Sequence, residues 1–232
     1  MARMNDLQTA IGFQFRDPAL LKEALTHRSY LNENPSWPVG HNERLEFLGD
    51  AVLELAVTEE LYARFPDDDE GRLTALRAAL VNYQMMAQVA RAVGLENHLL
   101  LSRGEAKDEG KAREVILANA SEALIGAMYL DQGYAPVKRF VLAQIIPRLD
   151  DVVARGLERD PKSVLQERVQ ELHRITPVYR VLSETGPDHQ KEFSVGVYIG
   201  EEQVGEGTGT SKQEAEISAA QSALRGLENH GA

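Results

Sequence analysis

Residues 41–55, HNERLEFLGDAVLEL, place four carboxylates in a segment that otherwise has the composition of a buried helix. Residues three or four apart lie on one side of a helix with about 3.6 residues per turn. The four acids therefore form a single stripe: Glu43, Glu46, Asp50 and Glu54. Four apolar side chains lie mostly around the other side: Leu45, Leu48, Val52 and Leu55. Because stacked like charges repel one another and lose hydration on burial, the stripe predicts a positively charged partner.

A second polar pair lies in residues 116–130, ILANASEALIGAMYL, where Glu122 follows Asn119 by three residues and shares its helix face. The neighbouring residues are apolar, so this helix is also expected in a core. Polar faces of two such helices can meet inside a bundle, where metal sites are commonly built. Oxygen ligands without cysteine favour Mg²⁺ or Mn²⁺, ions that promote phosphodiester hydrolysis by activating water and neutralising charge. The two segments together indicate a site of that kind.

Each acid taken alone also fits a simpler interpretation. Glu43 and Glu54 would be solvated on an exposed helix face, and Glu46 or Asp50 would pair with an arginine. The candidate arginines are Arg44, Arg72 and Arg77. By its spacing alone, Glu70 in PDDDEG is typical of a solvated loop acid. Only the stripe as a whole favours a functional site.

The composition bounds the possible functions. The chain has 232 residues, a formal net charge of −11 and no cysteine. Disulfides, thiolate catalysis and cysteine-based zinc sites are thereby excluded. No apolar run is long enough to span a bilayer, and the N-terminus lacks the pattern of a signal peptide, so we expect a cytoplasmic protein without a membrane partner. The acidic balance by itself disfavours nucleic acid, unless bound cations offset it.

The pattern of the chain predicts two domains. Helical periodicity recurs through residues 1–155, with the longest runs at 42–65, 73–95 and 121–149. A charged linker is predicted at 156–161, where Asp160 and Pro161 suit a helix cap and first helical position. Residues 162–230 then predict a helix, three strands and a closing helix that begins with Ser211 and Glu214, as in a capping box. The fold class is thus an all-α domain followed by a small α-β-β-β-α domain.

Several of these segments together resemble one family. The signature HNERLEFLGD, with LTHRSY, FPDDDEGRLTALRAALVN and ILANASEALIGAMYLDQGY, is similar to the nuclease domain of bacterial ribonuclease III. LQERVQE, GPDHQKEF and GEGTGTSKQEAE resemble a double-stranded RNA-binding domain. The resemblance implies a homodimeric, Mg²⁺-dependent endonuclease, with Mn²⁺ as a substitute. Such an enzyme cuts both strands of duplex RNA, leaves 5′-phosphates and short 3′ overhangs, and processes rRNA and mRNA.

The resemblance also implies roles for individual residues of the first domain. The implied metal ligands are Glu46, Asp50, Asn119 and Glu122, and the implied catalytic acids are Asp50, Glu122, Glu43 and Glu70. Asn119 departs from the pattern, because the family usually has an aspartate there. Phe47 matches an aromatic residue that enters a socket in the partner subunit, although its place on the helix fits an ordinary core residue equally well.

In the second domain, the resemblance implies RNA contacts by Gln166, Glu167, Gln170, His189 and Lys212. Polar side chains suit the 2′-hydroxyls and phosphates that duplex RNA presents in its shallow minor groove. Without the resemblance, we would assign the two glutamines to an exposed helix face and His189 to an ordinary turn. From residue 159 onward, twelve acidic residues outnumber eight basic ones. We therefore expect weak RNA binding with a shallow salt dependence.

Two other functions remain open from the sequence. One is a duplex-RNA-binding regulator whose cleavage is impaired by Asn119. The other is a helical scaffold whose acidic face docks a partner, which would show no Mg²⁺-dependent behaviour.

Overall fold

A computed structural model describes residues 2–107, 109–154, 156, 161–186 and 191–229 of the chain. The chain divides into two compact units, residues 1–158 and 159–232. The bounds of the predicted linker stay a prediction, since most of residues 155–160 lie outside the described residues. No described helix combines the length and the apolar character that crossing a bilayer requires.

The first unit is a helical bundle, as predicted. Its α-helices are α1 (Ala2–Ile11), α2 (Pro18–Ala24), α3 (Arg28–Glu33), α4 (Glu43–Arg64), α5 (Glu70–Leu80), α6 (Tyr83–Ala92), α7 (Gly110–Gln132), α8 (Tyr134–Ile145) and α9 (Leu149–Ala154). Three short 3₁₀-helices cover Leu95–Asn97, Glu105–Lys107 and Ile146–Arg148. Among its described residues, the only β pairing is an isolated bridge between Thr26 and Leu100.

Helices α4 and α7 form the centre of this bundle. Each buries a row of apolar side chains, among them Leu53, Val57, Leu117 and Leu124. The hydroxyl of Ser121 on α7 donates to the backbone carbonyl of Met86 on α6, at 3.2 Å. The two helices that carry the predicted metal ligands therefore lie in the core of the unit.

Two predicted helical runs are interrupted, and each break has a local cause. The run 73–95 divides at Asn82, whose side chain accepts the N–H of Met85 at 2.9 Å and thereby caps α6. Short polar side chains of this kind compete with the helix backbone for hydrogen bonds. The run 121–149 divides at Gly133, which has a φ of 79° between α7 and α8. Leu55, predicted on the apolar side of α4, is half exposed.

The second unit has the predicted α-β-β-β-α order. It consists of α10 (Pro161–His173), β1 (Val178–Thr185), β2 (Glu192–Ile199), β3 (Glu202–Gly209) and α11 (Lys212–Asn229). The sheet is antiparallel in the order β1-β2-β3, with Val178 opposite Tyr198 and Val197 opposite Gly205. Its core is formed by side chains from α10, β2 and α11, among them Leu165, Val195 and Ala219.

Glycines at alternate positions of β3 allow α11 to lie directly on the sheet. A Cβ at Gly205 would stand 2.6 Å from the carbonyl oxygen of Ala219, and one at Gly207 would stand 2.2 Å from the Ala219 nitrogen. The helix is capped as predicted, because the hydroxyl of Ser211 accepts the N–H of Glu214 at 3.2 Å. The Glu214 carboxylate bonds the N–H of Thr210, one residue earlier than in the usual box.

Candidate active site

The site is built where α4 and α7 touch through two glycines. A Cβ at Gly49 would stand 1.7 Å from the carbonyl oxygen of Glu122, and one at Gly126 would stand 2.1 Å from that of Leu45. The two backbones are thus in direct contact, with no room for a side chain between them. The contact places Glu122 beside Gly49, and therefore beside the acids that precede and follow Gly49 on α4.

Three carboxylates converge at this contact, and we call them the acidic cluster: Glu46, Asp50 and Glu122. Burial, together with the negative charges of Asp50 and Glu46, raises the pKa of the Glu122 carboxyl to about 8. Burial also raises the pKa of Glu46, with added effects from Glu43 and Asp50. Glu122 therefore interacts electrostatically with Glu46 and Asp50, although at least 72 residues separate it from them in sequence.

The acidic cluster has no cationic partner within the described part of the chain. Of the three predicted arginines, Arg72 pairs with Asp68 at 3.2 Å, and Arg77 donates to the Thr58 hydroxyl at 3.1 Å. No ion pair between described residues joins Arg44 to an acid of the cluster. The positive partner predicted from the stripe is therefore not one of these side chains.

The donor chemistry of the cluster fits a hard divalent cation. All its ligand atoms are oxygens, and the buried Glu122 carboxyl lacks a compensating charge. Among the described residues, no three Asp, Glu or His side chains are placed so that together they could hold a metal ion. Mg²⁺ does not need three, because it binds through one or two carboxylates and keeps several waters. Because ligands bind in their deprotonated form, metal affinity at this site should increase with pH.

Asn119 lies one turn before Glu122 on α7 and is half buried. Its amide makes no hydrogen bond to another described residue. The side chain is therefore available to offer its carbonyl oxygen to a cation, as a neutral ligand. Its predicted role as a ligand stays a prediction.

Glu43 lies at the start of α4, next to the acidic cluster, and does have a cationic partner, Arg28. Its carboxylate is 2.9 Å from the Nε atom of Arg28 and 3.7 Å from the Nδ1 atom of His41. Its charge acts on Glu46. Glu43 thus links the acidic cluster to a positively charged neighbour that the sequence analysis did not single out.

Glu70 lies elsewhere in the unit. It is the exposed first residue of α5 and lines a groove of about 440 Å³ against the later turns of α4. The other lining residues are Thr58, Leu61, Tyr62, Asp68, Leu73, Thr74 and Arg77. Thr58 follows Glu46 by twelve residues, or roughly 18 Å along α4. One copy of the chain therefore does not bring Glu70 to the acidic cluster.

Phe47 is not a core residue, since 83% of its surface is exposed. Leu55 and Tyr62 are exposed on the same helix, by 50% and 75%. We call these three side chains the α4 outer face. An apolar row of this kind is typical of a surface that another protein covers.

The predicted RNA-binding residues of the second unit are solvent-accessible where they are described. Gln166, Glu167 and Gln170 are exposed on α10, while Leu165 and Val169 of the same helix are buried. Lys212 is exposed at the first position of α11, with its Nζ atom 5.8 Å from the centre of the Phe193 ring. His189 lies outside the described residues. Their roles in RNA binding stay predictions.

Sequence reasoning missed the two glycines and Arg28. A glycine inside a strongly helical run is unfavourable unless packing requires it, so Gly49 in LGD and Gly126 in IGA carried a usable signal. Arg28 lies in LTHRSY, a segment that supported the family resemblance but whose residues were given no functional role. No local sequence pattern predicts its ion pair with Glu43.

Comparison with known proteins places both units in described families. Residues 17–149 match the Ribonuclease-III-like family, and residues 161–227 match the double-stranded RNA binding motif. The chain is 47% identical to "Ribonuclease 3" of Desulforamulus reducens and 46% identical to that of Geobacter sulfurreducens. Each alignment spans 227 residues, which is 98% of this chain and 92% of the relative.

A solved structure resembles the first unit. It is a crystal structure of the nuclease domain of ribonuclease III from Campylobacter jejuni, with 40% sequence identity and a TM-score of 0.57. The match covers 64% of this chain and 97% of that one. A second structure of the same domain, with 42% identity and a TM-score of 0.56, covers 61% of this chain and 95% of that one. It is described as flexible in a region involved in dimer formation.

Proposed function

The chain belongs to the ribonuclease III family, and from that premise we propose that it is an endoribonuclease that cuts double-stranded RNA at the acidic cluster. The observation that carries the proposal is the contact between Gly49 and Glu122, which gathers three carboxylates without a cationic partner among the described residues. The matched RNA-binding motif supplies the substrate class.

We assign Mg²⁺ to this site, with Mn²⁺ as a substitute. Glu46, Asp50 and Glu122 would hold the ion, and Asn119 would add its amide oxygen. When bound, such an ion supplies a water of lowered pKa and positive charge against the phosphate. Because its pKa is raised, Glu122 would have to lose a proton in order to hold the ion as a carboxylate. The packed helix contact holds the carboxylates in place during the reaction, which is where a rigid scaffold contributes to catalysis.

The test is cleavage of a long RNA duplex. With Mg²⁺, the full chain should produce short fragments that carry 5′-phosphates, and EDTA should stop the reaction. A single strand of the same sequence and the matching DNA duplex are the controls. Binding of duplex RNA without cleavage at any Mg²⁺ or Mn²⁺ concentration would contradict the proposal and favour the regulator.

We further propose that the active form is a homodimer in which two α4 helices pack antiparallel. Two-fold contacts bring the same surface patch of each copy together. Leu55 lies near the middle of the α4 outer face, and Phe47 and Tyr62 lie roughly 11–12 Å to either side of it. Phe47 of one copy would therefore reach the groove beside Tyr62 of the other. The groove is large enough, because an apolar cavity of about 150 Å³ already holds benzene.

This arrangement also gives Glu70 a place in the reaction. Glu70 lines the groove that Phe47 would enter, and Phe47 directly follows Glu46 in sequence. In the dimer, Glu70 of one copy would lie close to the acidic cluster of the other. Its proposed role as an accessory acid thus depends on dimerisation.

Phe47→Ala is expected to weaken dimerisation by at least about 100-fold. Loss of a buried phenylalanine typically costs about 3–5 kcal/mol, and each 1.4 kcal/mol is about tenfold in affinity. The folded monomer should melt as before, since Phe47 is exposed within one copy. Sedimentation velocity over a dilution series measures the effect. Leu172→Ala, at another exposed large apolar residue, is the matched control and should leave the profile unchanged.

Asn119→Asp is expected to lower the Mg²⁺ concentration at half-maximal cleavage by about three- to tenfold, because a charged ligand replaces a neutral one. The same change adds a fourth negative charge beside the acidic cluster, so melting in EDTA should occur at a slightly lower temperature. The measurement is cleavage rate against Mg²⁺ for both forms. Asn97→Asp, at an exposed position of the same unit, controls for net charge. An unchanged or higher midpoint in the Asn119→Asp form would remove Asn119 from the ligand set.

A further inference from the structure

Arg28 is a cation held against the acidic side of the site. Its Nε atom is 2.9 Å from Glu43 Oε1, and the charge of Glu43 acts on Glu46. His41 approaches the other oxygen of the same carboxylate at 3.7 Å.

The backbone that carries Arg28 is fixed by hydrogen bonds. Arg28 is the first residue of α3, and the ring of His27 caps that helix by accepting the N–H of Ser29 at 3.3 Å. The Ser29 hydroxyl accepts the N–H of Ser102 at 3.0 Å, and the N–H of His27 donates to the carbonyl of Leu100 at 3.0 Å. The Arg28 side chain is therefore attached to a backbone that hydrogen bonds hold in place.

Most of the donors of Arg28 are unused. A guanidinium group has five N–H donors in a planar fork, and the ion pair with Glu43 is made through Nε. Neither terminal nitrogen makes a hydrogen bond or ion pair with another described residue, and the side chain is 64% exposed. The two terminal nitrogens of a guanidinium group can bind a phosphate group through paired hydrogen bonds, and a side chain this exposed is accessible to one.

A polyanionic RNA substrate would require a cation near this acidic site. The chain has a net charge of −11, and the acidic cluster repels the polyanion that it must admit. When one RNA phosphate reaches the cluster, the adjacent phosphates of that strand must pass close beside it. We propose that Arg28 binds the backbone phosphate next to the bond being cut, and that Glu43 is the positioning residue that aims its guanidinium group. This inference rests on the proposed function and assigns Glu43 a task distinct from metal binding.

The competing explanation is that Arg28 only neutralises Glu43, and the salt dependence of RNA binding separates the two explanations. If Arg28 binds phosphate, Arg28→Gln should raise KM for duplex RNA about tenfold with little change in kcat. It should also reduce the salt-dependence slope of binding by about one for each subunit that contacts the duplex. Glu43→Gln keeps the cation, so its slope should stay as in the parent chain. Arg28→Lys should restore the slope but only part of KM, because lysine keeps the charge and lacks the fork.

The opposite pattern would overturn the inference. An unchanged KM and an unchanged salt-dependence slope in Arg28→Gln would show that Arg28 serves only as a counter-ion of Glu43. Arg91→Gln, at another exposed arginine paired with carboxylates, is the matched control. If the parent chain does not cut duplex RNA, the proposed function fails, and the salt slope of binding still decides the role of Arg28. If the parent chain cuts duplex RNA and Arg28→Gln has the same KM and salt slope, the proposed function stands and the phosphate-binding role of Arg28 is wrong.

Discussion

Glu122→Gln is expected to reduce turnover of duplex RNA by about 10³-fold or more. A bound divalent ion contributes several kcal/mol of charge stabilisation, and each 1.4 kcal/mol is about a factor of ten in rate. Glutamine keeps the size of the side chain but cannot ionise, so the carboxylate that would bind the ion beside Asp50 and Glu46 is lost. Binding of duplex RNA in EDTA should persist, because the RNA-binding motif lies in the second unit. Single-turnover cleavage and a binding titration measure the two effects separately.

The same variant should be more stable than the parent chain at alkaline pH. Because the pKa of Glu122 is raised from 4.5 to about 8, the folded chain holds a proton that the unfolded chain releases between these pH values. The contribution of Glu122 to the stability of the parent therefore falls as pH rises from about 4.5 to 8, whereas glutamine has no proton to lose. Melting curves in EDTA should coincide near pH 4.5 and separate progressively up to pH 8. Each kcal/mol relieved corresponds to about 2–4 °C in a chain of this size.

Glu114→Gln is the matched control for both measurements. Glu114 lies two turns earlier on α7, and its carboxylate pairs with Arg91 at 3.5 Å on the surface. An exposed pair of this kind contributes little to stability. Near-normal turnover of Glu122→Gln at low Mg²⁺ would exclude Glu122 as a ligand, and coinciding melting curves at pH 8 would exclude the buried carboxyl as the titrating group.

The helices were predictable because their signal is local. Buried residues recur along α4 and α7 with helical period, and the change to strand-like alternation marks the second unit. The break at Asn82 was missed because both flanking helices carry the same apolar period, so only the side-chain cap distinguishes them. The order of the elements can thus be predicted from the sequence pattern, whereas the start of α6 depends on a single side-chain hydrogen bond at Asn82.

The site was only partly predictable, since it depends on which helix faces meet. Spacing put Glu46 and Asp50 on one stripe, but their approach to Glu122 depends on a glycine contact between residues far apart in sequence. Phe47 could be core or surface by period alone, and the structure exposes it because α7 packs against the neighbouring face of α4. Glu70 matched the family pattern, yet one copy of the chain holds it near Tyr62 rather than at the acidic cluster.

Gly49→Ala is expected to destabilise the first unit by about 2–4 kcal/mol. An added Cβ would stand 1.7 Å from the carbonyl oxygen of Glu122 and 2.8 Å from the nitrogen of Gly126. Both are backbone atoms, so the helices themselves must separate. Overpacking typically costs about 1–3 kcal/mol and sometimes more, and the rigid obstacle places this site at the upper end. The gain in helix propensity, about 1 kcal/mol, offsets only part of that cost.

Cleavage by Gly49→Ala should fall by about 100-fold even well below its melting temperature, because a misplacement of about 1 Å has that effect on catalysis. Gly71→Ala is the matched control, since α5 leaves room for a Cβ there and its nearest contact is the Asp69 side chain at 3.4 Å. That variant should melt at the parent temperature or slightly above it. Thermal melting and single-turnover cleavage at 25 °C test both variants. A Gly49→Ala chain that melts and cuts like the parent would mean that the direct contact of α4 with α7 does not position the carboxylates. The packing of the surrounding side chains alone would then position the acidic cluster.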